Sequence, residues 1–380
     1  MRRQFFCLLG LMAGLLSFAG LVRAEEGVSA DEVRVGMVNA LSGPAAGIGA
    51  GMQAGAQAYF AKINADGGVH GRRITLVSRD DGYEPARSAT ATRELIESGN
   101  VFALFGYVGT PTSRAALPLV LGAKVPYLFP LSGAEVLRTP VHKWVFNVRA
   151  SYFDETEEMV KRMTEDLGIR QVALLMQDDS FGESVKSGLV GALHKRGLTL
   201  QGEARIQRNS LAISEAVDGL KAQQPQAIFF VGTYKQLAAA IQRAKAQGLT
   251  ARFFTVSFIG TDNFITEAGE AGNGVYITQV MPPPQDRSRA VIKDYLADVR
   301  PADIGYASLE GYIDARVFVQ ALHNAGPQPT RERLVTALRA LRMDLGGFEV
   351  AFSATSHQGS AAVFLTRVQA GQAVAVERME

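Results

Sequence analysis

Short apolar runs rich in β-branched and aromatic residues recur along the chain, separated by longer stretches in which apolar residues return every third or fourth position. The first pattern predicts strands buried on both faces, and the second predicts amphipathic helices packed over them. Residues 33–41 read as the first strand, the turn Ser42-Gly43-Pro44 follows, and a helix runs from about 52 to 64. Gly67 and Gly68 end it, since both tolerate positive φ. A second strand covers 74–78, Pro85 opens a helix to about 98, and a third strand covers 101–105. A helical run at 114–121 and a strand at 124–129 come next, and 144–153 reads as a further strand that crosses to a second unit. There the alternation restarts, with strands at 171–176, 227–231, 252–257 and 275–280 and helices at 181–196 and 234–247. Helical runs at 288–299, 307–325 and 330–341 precede a closing hairpin or short sheet over 347–378. Strands alternating with helices predict an α/β protein with parallel sheets covered on both faces, here two of them.

Residues 101–116, VFALFGYVGTPTSRAA, show where chemistry would gather. The buried strand breaks at Gly106 and hands over, through Gly109, Thr110, Pro111, Thr112 and Ser113, to a helix start with unpaired N–H groups that favour a carboxylate or other anion. The alternative is that Thr110, Thr112 and Ser113 only cap their own helix. Open parallel sheets hold ligands outside the carboxyl ends of their strands. Two such sheets, with polar turns at Asp178-Asp179-Ser180, Gly232-Thr233 and Ile259-Gly260-Thr261, predict a ligand cleft between two lobes.

Composition removes several other classes. The chain has 380 residues, is 47% hydrophobic and carries a formal net charge of +2. Arg2-Arg3, a nearly continuous apolar run over 5–21 and Val22-Arg23-Ala24 read as a cleaved secretory leader, residues 1–24. A membrane anchor fits less well, because the run is short and no basic stop follows it. The only cysteine, Cys7, precedes the apolar run, where a lipid-anchored cysteine would follow it. Loss of Arg2, Arg3 and Arg23 with the leader takes the charge from +2 to −1, a near balance that argues against nucleic acid. The turn at 42–51 lacks G-x-G-x-x-G spacing, and Asp80-Asp81 has no third ligand at a metal-binding spacing. The five histidines show no metal spacing, and no cofactor is called for. A hydrolase would need a nucleophile with a histidine partner, and there is no G-x-S-x-G elbow or paired-carboxylate motif.

Ala40-Leu41-Ser42-Gly43-Pro44, the run from Ile63 to Arg72 (INADGGVHGR), Asp80-Asp81 with Pro85, and Asp178-Asp179-Ser180-Phe181-Gly182 resemble the leucine/isoleucine/valine-binding protein family. These are the periplasmic solute receptors of ABC importers, and the likeness spans nearly the whole chain after the leader. The resemblance implies two flavodoxin-like (Rossmann-like) lobes of the type I periplasmic-binding-protein kind, joined by three crossovers near 148–152, 258–274 or slightly later, and 345–349. Lobe one would comprise 28–148 plus 281–345, and lobe two 149–280 plus 346–380. It implies a monomeric, non-enzymatic periplasmic receptor that hands an amino acid, small organic acid or amide to permease and ATPase subunits, or alternatively to a separate sensor. Carried over, Thr110 would bind the ligand carboxylate, Ser132 and Gly133 would offer backbone groups, Ile48 would form an apolar wall, and Phe181 and Tyr234 would close from the second lobe. Tyr107, at a strand end, and Tyr152, in a crossover, complete the candidate set. Ser257 stands where amino-acid binders carry the acid that pairs with the ligand ammonium, so Asp262 or another acid must supply that charge or the ligand lacks it. Arg149 is expected to pair with Asp154 or Glu155.

Overall fold

The computed structural model describes residues 25–380; the expected leader and Cys7 lie outside them. The first sheet contains β1 (Glu32–Asn39), β2 (Arg73–Asp80), β3 (Ala103–Phe105), β4 (Tyr127–Leu128) and β5 (Val145–Phe146). Their spatial order is β2-β1-β3-β4-β5, parallel throughout. That is the flavodoxin order, in which the strand sequence reverses between β1 and β3 and leaves a crevice at their carboxyl ends. The connecting helices are α1 (Ala46–Ala65), α2 (Pro85–Glu97) and α3 (Thr110–Ala123).

The chain then leaves this sheet through residues 147–151 and enters α4 (Tyr152–Glu165). The second sheet collects β6 (Val172–Gln177), β7 (Leu200–Ile206), β8 (Ala227–Val231), β9 (Arg252–Thr255) and β10 (Tyr276–Gln279). Helices α5 (Ser180–His194), α6 (Ser214–Lys221), α7 (Tyr234–Ala246) and α8 (Thr261–Ala268) connect them. After Pro282-Pro283-Pro284 the chain returns to the first lobe with α9 (Ala290–Asp298), α10 (Tyr306–Asn324) and α11 (Arg331–Ala340), and α10 packs along α1. A hairpin, β11 (Arg342–Asp344) with β12 (Glu349–Ala351), follows, and β13 (Phe364–Gln369) and β14 (Gln372–Ala375) finish the second sheet. The order there is β14-β13-β10-β9-β8-β6-β7, parallel except at β13, which runs antiparallel to both β10 and β14. Among the described residues no helix is long and apolar enough to cross a membrane.

Three departures from the sequence reading have physical causes. Residues 144–153 are not one strand: β5 ends at Phe146, and α4 starts at Tyr152 under a capping box of Ser151 and Asp154. The periodicity reading passed over β7, α6 and α8; β7 is an edge strand with exposed Gln201, Glu203 and Arg205 between less exposed positions, so it lacks a continuous apolar run. The last crossing also lies beyond 345–349. Phe352 packs edge-on against Phe146 at 5.4 Å, His357 stacks on Phe146 at 3.9 Å, and Gln358 bridges to Asn147. That segment caps the edge of the first sheet, and the chain joins the second sheet only at Phe364.

Candidate functional site

Helix α3 begins at Thr110 immediately after the β3 turn, and Ser132 and Gly133 follow β4, the neighbouring strand, so both turns open from carboxyl ends of the first sheet. Thr110 does not cap its own helix. Its hydroxyl lies 2.8 Å from that of Ser132, and both residues are fully buried. Back-bonding falls instead to Thr112, whose hydroxyl donates to the Val108 carbonyl at 2.6 Å. The Gly133 carbonyl accepts from the Tyr152 N–H at 2.8 Å. A Cβ on Gly133 would lie 2.5 Å from the Tyr152 ring, so only glycine admits this close approach.

Tyr152 is thereby pinned at the start of α4 beside the hydroxyl pair. Its hydroxyl is buried with no hydrogen-bond partner among the described residues, and burial pushes its pKa up, against the pull of the Arg149 charge. From the second lobe, Phe181 lies 5.5 Å from the Tyr152 ring and 4.5 Å from Phe258, which in turn meets Tyr83 at 5.8 Å. Asp179 holds Phe181 in place by accepting its N–H at 2.9 Å. Tyr234, at the start of α7, reaches across the lobes and accepts from the Gly47 N–H at 3.4 Å. Thr233 and Gln236 organise that helix start: the Gln236 amide oxygen accepts the Thr233 N–H at 3.1 Å. Ile48 and Ser257 line one interlobe hollow.

Ser257 sits in a buried ionic network. Its N–H and hydroxyl donate to Glu155 at 2.8 and 3.0 Å, and the Thr278 hydroxyl donates to the same carboxylate at 2.6 Å. Arg149, 1% exposed, donates to the Ser257 hydroxyl and lies 3.6 Å from Glu155 and 3.4 Å from Glu310. Burial raises the Glu155 pKa, while Arg149, Thr278 and Ser257 oppose that rise. For Arg149 burial works downward, but Glu310 and Glu155 outweigh it and hold its pKa above the usual value. The Arg149 carbonyl accepts from Arg138, whose own pKa falls to about 10 through burial and the nearby Arg149 charge.

A profile of the periplasmic binding protein family matches residues 32–373. The chain belongs to the periplasmic binding protein family. The binding protein is 23% identical, over 83% of its own length and 84% of the relative's, to the leucine-, isoleucine-, valine-, threonine- and alanine-binding protein of Pseudomonas aeruginosa. A solved structure described as a possible leucine/isoleucine/valine-binding protein from Rhodopirellula baltica superposes with a TM-score of 0.87 at 31% identity, covering 92% of this chain and 97% of that one. A substrate-binding periplasmic protein from Ralstonia solanacearum gives 0.84 at 30%, covering 90% and 99%. The binding protein shares with these structures the type I architecture of two parallel-sheet lobes.

Of the candidate residues, the fold of the binding protein gathers Thr110, Ser132, Gly133, Tyr152 and Phe181 into one interlobe group, with Tyr234, Ile48 and Ser257 on the facing lobe surfaces. It does not bring Tyr107 there. That hydroxyl bonds to Thr92 at 3.1 Å and its ring packs on Tyr127 at 4.9 Å, in a separate core cluster on the other face of the first sheet. Asp262 does not reach Ser257's surroundings either; its carboxylate accepts the Tyr306 N–H at 2.7 Å, at the start of α10. Of the two partners expected for Arg149, Glu155 is correct, whereas Asp154 accepts the Ser151 N–H within the α4 cap. Sequence reasoning missed Tyr83, Phe258 as a wall residue, Thr278 and Glu310. Glu310 had a signal: it is an acid on the apolar face of α10, among Leu309, Ile313 and Phe318.

Proposed function

We propose that the chain is the periplasmic substrate-binding component of an ABC importer, secreted through the leader at 1–24. It takes up an amino acid of the branched-chain type, or a related small carboxylate or amide, between its lobes and presents it to a membrane permease with its ATPase subunits. The protein itself performs no chemistry on the ligand. One observation carries the reading: the Thr110–Ser132 hydroxyl pair, beside the unpartnered Tyr152 hydroxyl, lies at the carboxyl ends of one sheet and is faced across the gap by Phe181 from the other. Hydroxyls and helix N–H groups there suit a carboxylate, and the rings of Phe181, Phe258 and Tyr83 suit an apolar side chain. Micromolar capture corresponds to about −8.2 kcal/mol, which a few charge-assisted bonds of about 1.5–3 kcal/mol each, together with side-chain burial, would supply.

A thermal-shift screen across amino acids, aromatic and aliphatic acids and amides tests the reading. A ligand present at about 100 times its dissociation constant should stabilise the protein by about 2.7 kcal/mol. Thr110→Ala should weaken that ligand by roughly ten-fold or more while leaving the ligand-free melting temperature within a few degrees. Calorimetry returning an unchanged affinity for the variant would remove Thr110 from the site, and a panel with no stabilising member would remove the reading.

A further inference from the structure

Arg138 stands where the turn after β4 meets two of the three passages between the lobes. A short 3-10 turn, Glu135–Leu137, brings it back against Ser132 and Ala134, and it is 8% exposed. All three nitrogens of its guanidinium donate. Nη1 bonds the Ser132 and Ala134 carbonyls at 3.1 Å each, and Nη2 bonds the Arg149 and Ala150 carbonyls at 3.1 and 3.4 Å. Nε bonds the Gln358 side-chain oxygen at 3.0 Å. Ser132 belongs to the hydroxyl pair with Thr110, Arg149 and Ala150 to the first passage between the lobes, and Gln358 to the last. The Gln358 amide goes on to Asp154 of the α4 cap at 2.9 Å, so the chain of bonds runs from the first lobe into the second. Asn147 ties the same segments again. Its N–H donates to the His357 carbonyl at 2.8 Å, its carbonyl accepts from Gly359 at 2.7 Å, and its side-chain amide donates to the Leu137 carbonyl at 2.9 Å.

Every acceptor on Arg138 is neutral. Arg149 repels its charge, while Glu135 and Asp154 favour it from a distance. Burying a guanidinium on carbonyls alone costs stability that a well-packed apolar side chain would not. What the arginine supplies is geometry: five N–H donors fixed in one plane, where lysine offers three on a single flexible point. The peptide group is planar, so a bond to the Ser132 carbonyl also fixes the direction of the Gly133 N–H. A swing of one lobe against the other turns the backbone at 147–151, and the Arg149 and Ala150 carbonyls would then move against that same plane.

We propose that Arg138 is a positioning residue that couples the turn after β4 to the first and last interlobe passages, so that the turn carrying Ser132 and the hinge change together. Its part in ligand capture rests on the interlobe site proposed above; the coupling itself does not.

Hydrogen exchange read by mass spectrometry on the full chain, exported, purified and free of ligand, tests the coupling. Gln358→Ala removes only the arm to the last passage and touches neither Ser132 nor Ala134. It should speed exchange about three-fold or more over 131–137 and 147–152 as well as over 357–360, with β6 and β8 unchanged. Arg138→Lys keeps the charge and loses the fork, and should speed exchange in all three segments by about ten-fold or more. A charge role alone would be rescued by lysine, and a merely structural role would spread to β6 and β8. Calorimetry with L-leucine, L-valine and L-phenylalanine reads the consequence for binding: Arg138→Lys should weaken whichever binds by about ten-fold, with the ligand-free melting temperature within a few degrees of wild type.

Faster exchange confined to 357–360 in Gln358→Ala, wild-type exchange in Arg138→Lys, or equal acceleration in β6 and β8 overturns the coupling. Should Arg138→Lys not fold, Gln358→Ala decides. Coupled exchange with unchanged affinity overturns the part of Arg138 in capture. A wild-type protein that binds none of the three compounds counts against the amino-acid reading above, and the exchange result then decides the coupling by itself.

Discussion

Adjacent acids after β2 show how placement decides a residue's chemistry. Asp80 is partly exposed, and although burial pushes its pKa up, the Ser42 hydroxyl, the N–H groups of Gly82 and Leu41 and the Arg87 guanidinium bring it down to about 2. Its neighbour Asp81 is fully buried; one oxygen accepts the Tyr83 N–H at 2.8 Å and the other has no partner among the described residues. Burial raises its pKa to about 6, and the Asp80 charge adds to the rise. An acid whose pKa is higher in the folded chain than in the unfolded one supports folding while protonated, and that support fades as pH rises from about 4 through about 6. At about 1.4 kcal/mol per pH unit, the interval corresponds to about 3 kcal/mol. Asp81→Asn keeps the acceptor for Tyr83 and cannot ionise. Its stability relative to wild type should therefore improve by up to about 3 kcal/mol between pH 4 and pH 7, read from denaturant unfolding at both values. A difference independent of pH would show that Asp81 ionises normally.

Among elements, the approach of α1 to α10 is set by small residues. A Cβ at Gly55 would strike the Ser308 carbonyl, and one at Gly311 would strike the Met52 carbonyl, so the two backbones are nearly in contact. Helix α10 carries Glu310 and Asp314 toward Arg149, so this packing also sets the depth at which the acids sit. Gly55→Ala should force the helices apart and cost about 1–3 kcal/mol, in line with overpacked cores. A lowered midpoint in denaturant with an unchanged slope would be the expected signature.

Across the whole molecule, the lobes are held together on one side by a polar clasp. Arg208, after β7, bridges Glu84 and Asp179 at 3.0 Å each, and the Asn209 amide donates to the Gly82 carbonyl at 3.1 Å and to Glu84 at 2.7 Å. Gln177 adds a contact to the Tyr83 hydroxyl at 3.4 Å. Because its members lie at the end of β6 or in the turns after β2, β6 and β7, opening of the lobes would break the clasp while leaving both sheets intact. Its ion pair is partly exposed, which limits it to about 0.2–1 kcal/mol. Glu84→Ala should therefore raise the ligand dissociation constant by no more than about five-fold and enlarge the ligand-free radius of gyration in small-angle scattering, with ligand restoring the compact value. Equal radii for the two ligand-free proteins would show that the clasp does not bias closure.

The linear order of residues was enough to establish the parallel-sheet architecture, the restart into a second lobe and the strand-to-helix turn that carries Thr110, because strand burial and helix starts depend on neighbours within a few positions. It also marked Tyr234 and Phe181, each at a helix start after a strand. It could not turn Tyr107 away from the gap, since a residue at a strand end faces whichever side the sheet's covering helices leave to it. Nor could it pair Arg149 with Glu310 or place Glu155 under Ser257: these groups lie far apart in the chain, and only packing brings them together. Charges buried this deeply take their partners and their protonation from the three-dimensional surroundings, and so the place of Glu310 beside Arg149 became visible only once α10 had been laid against α1.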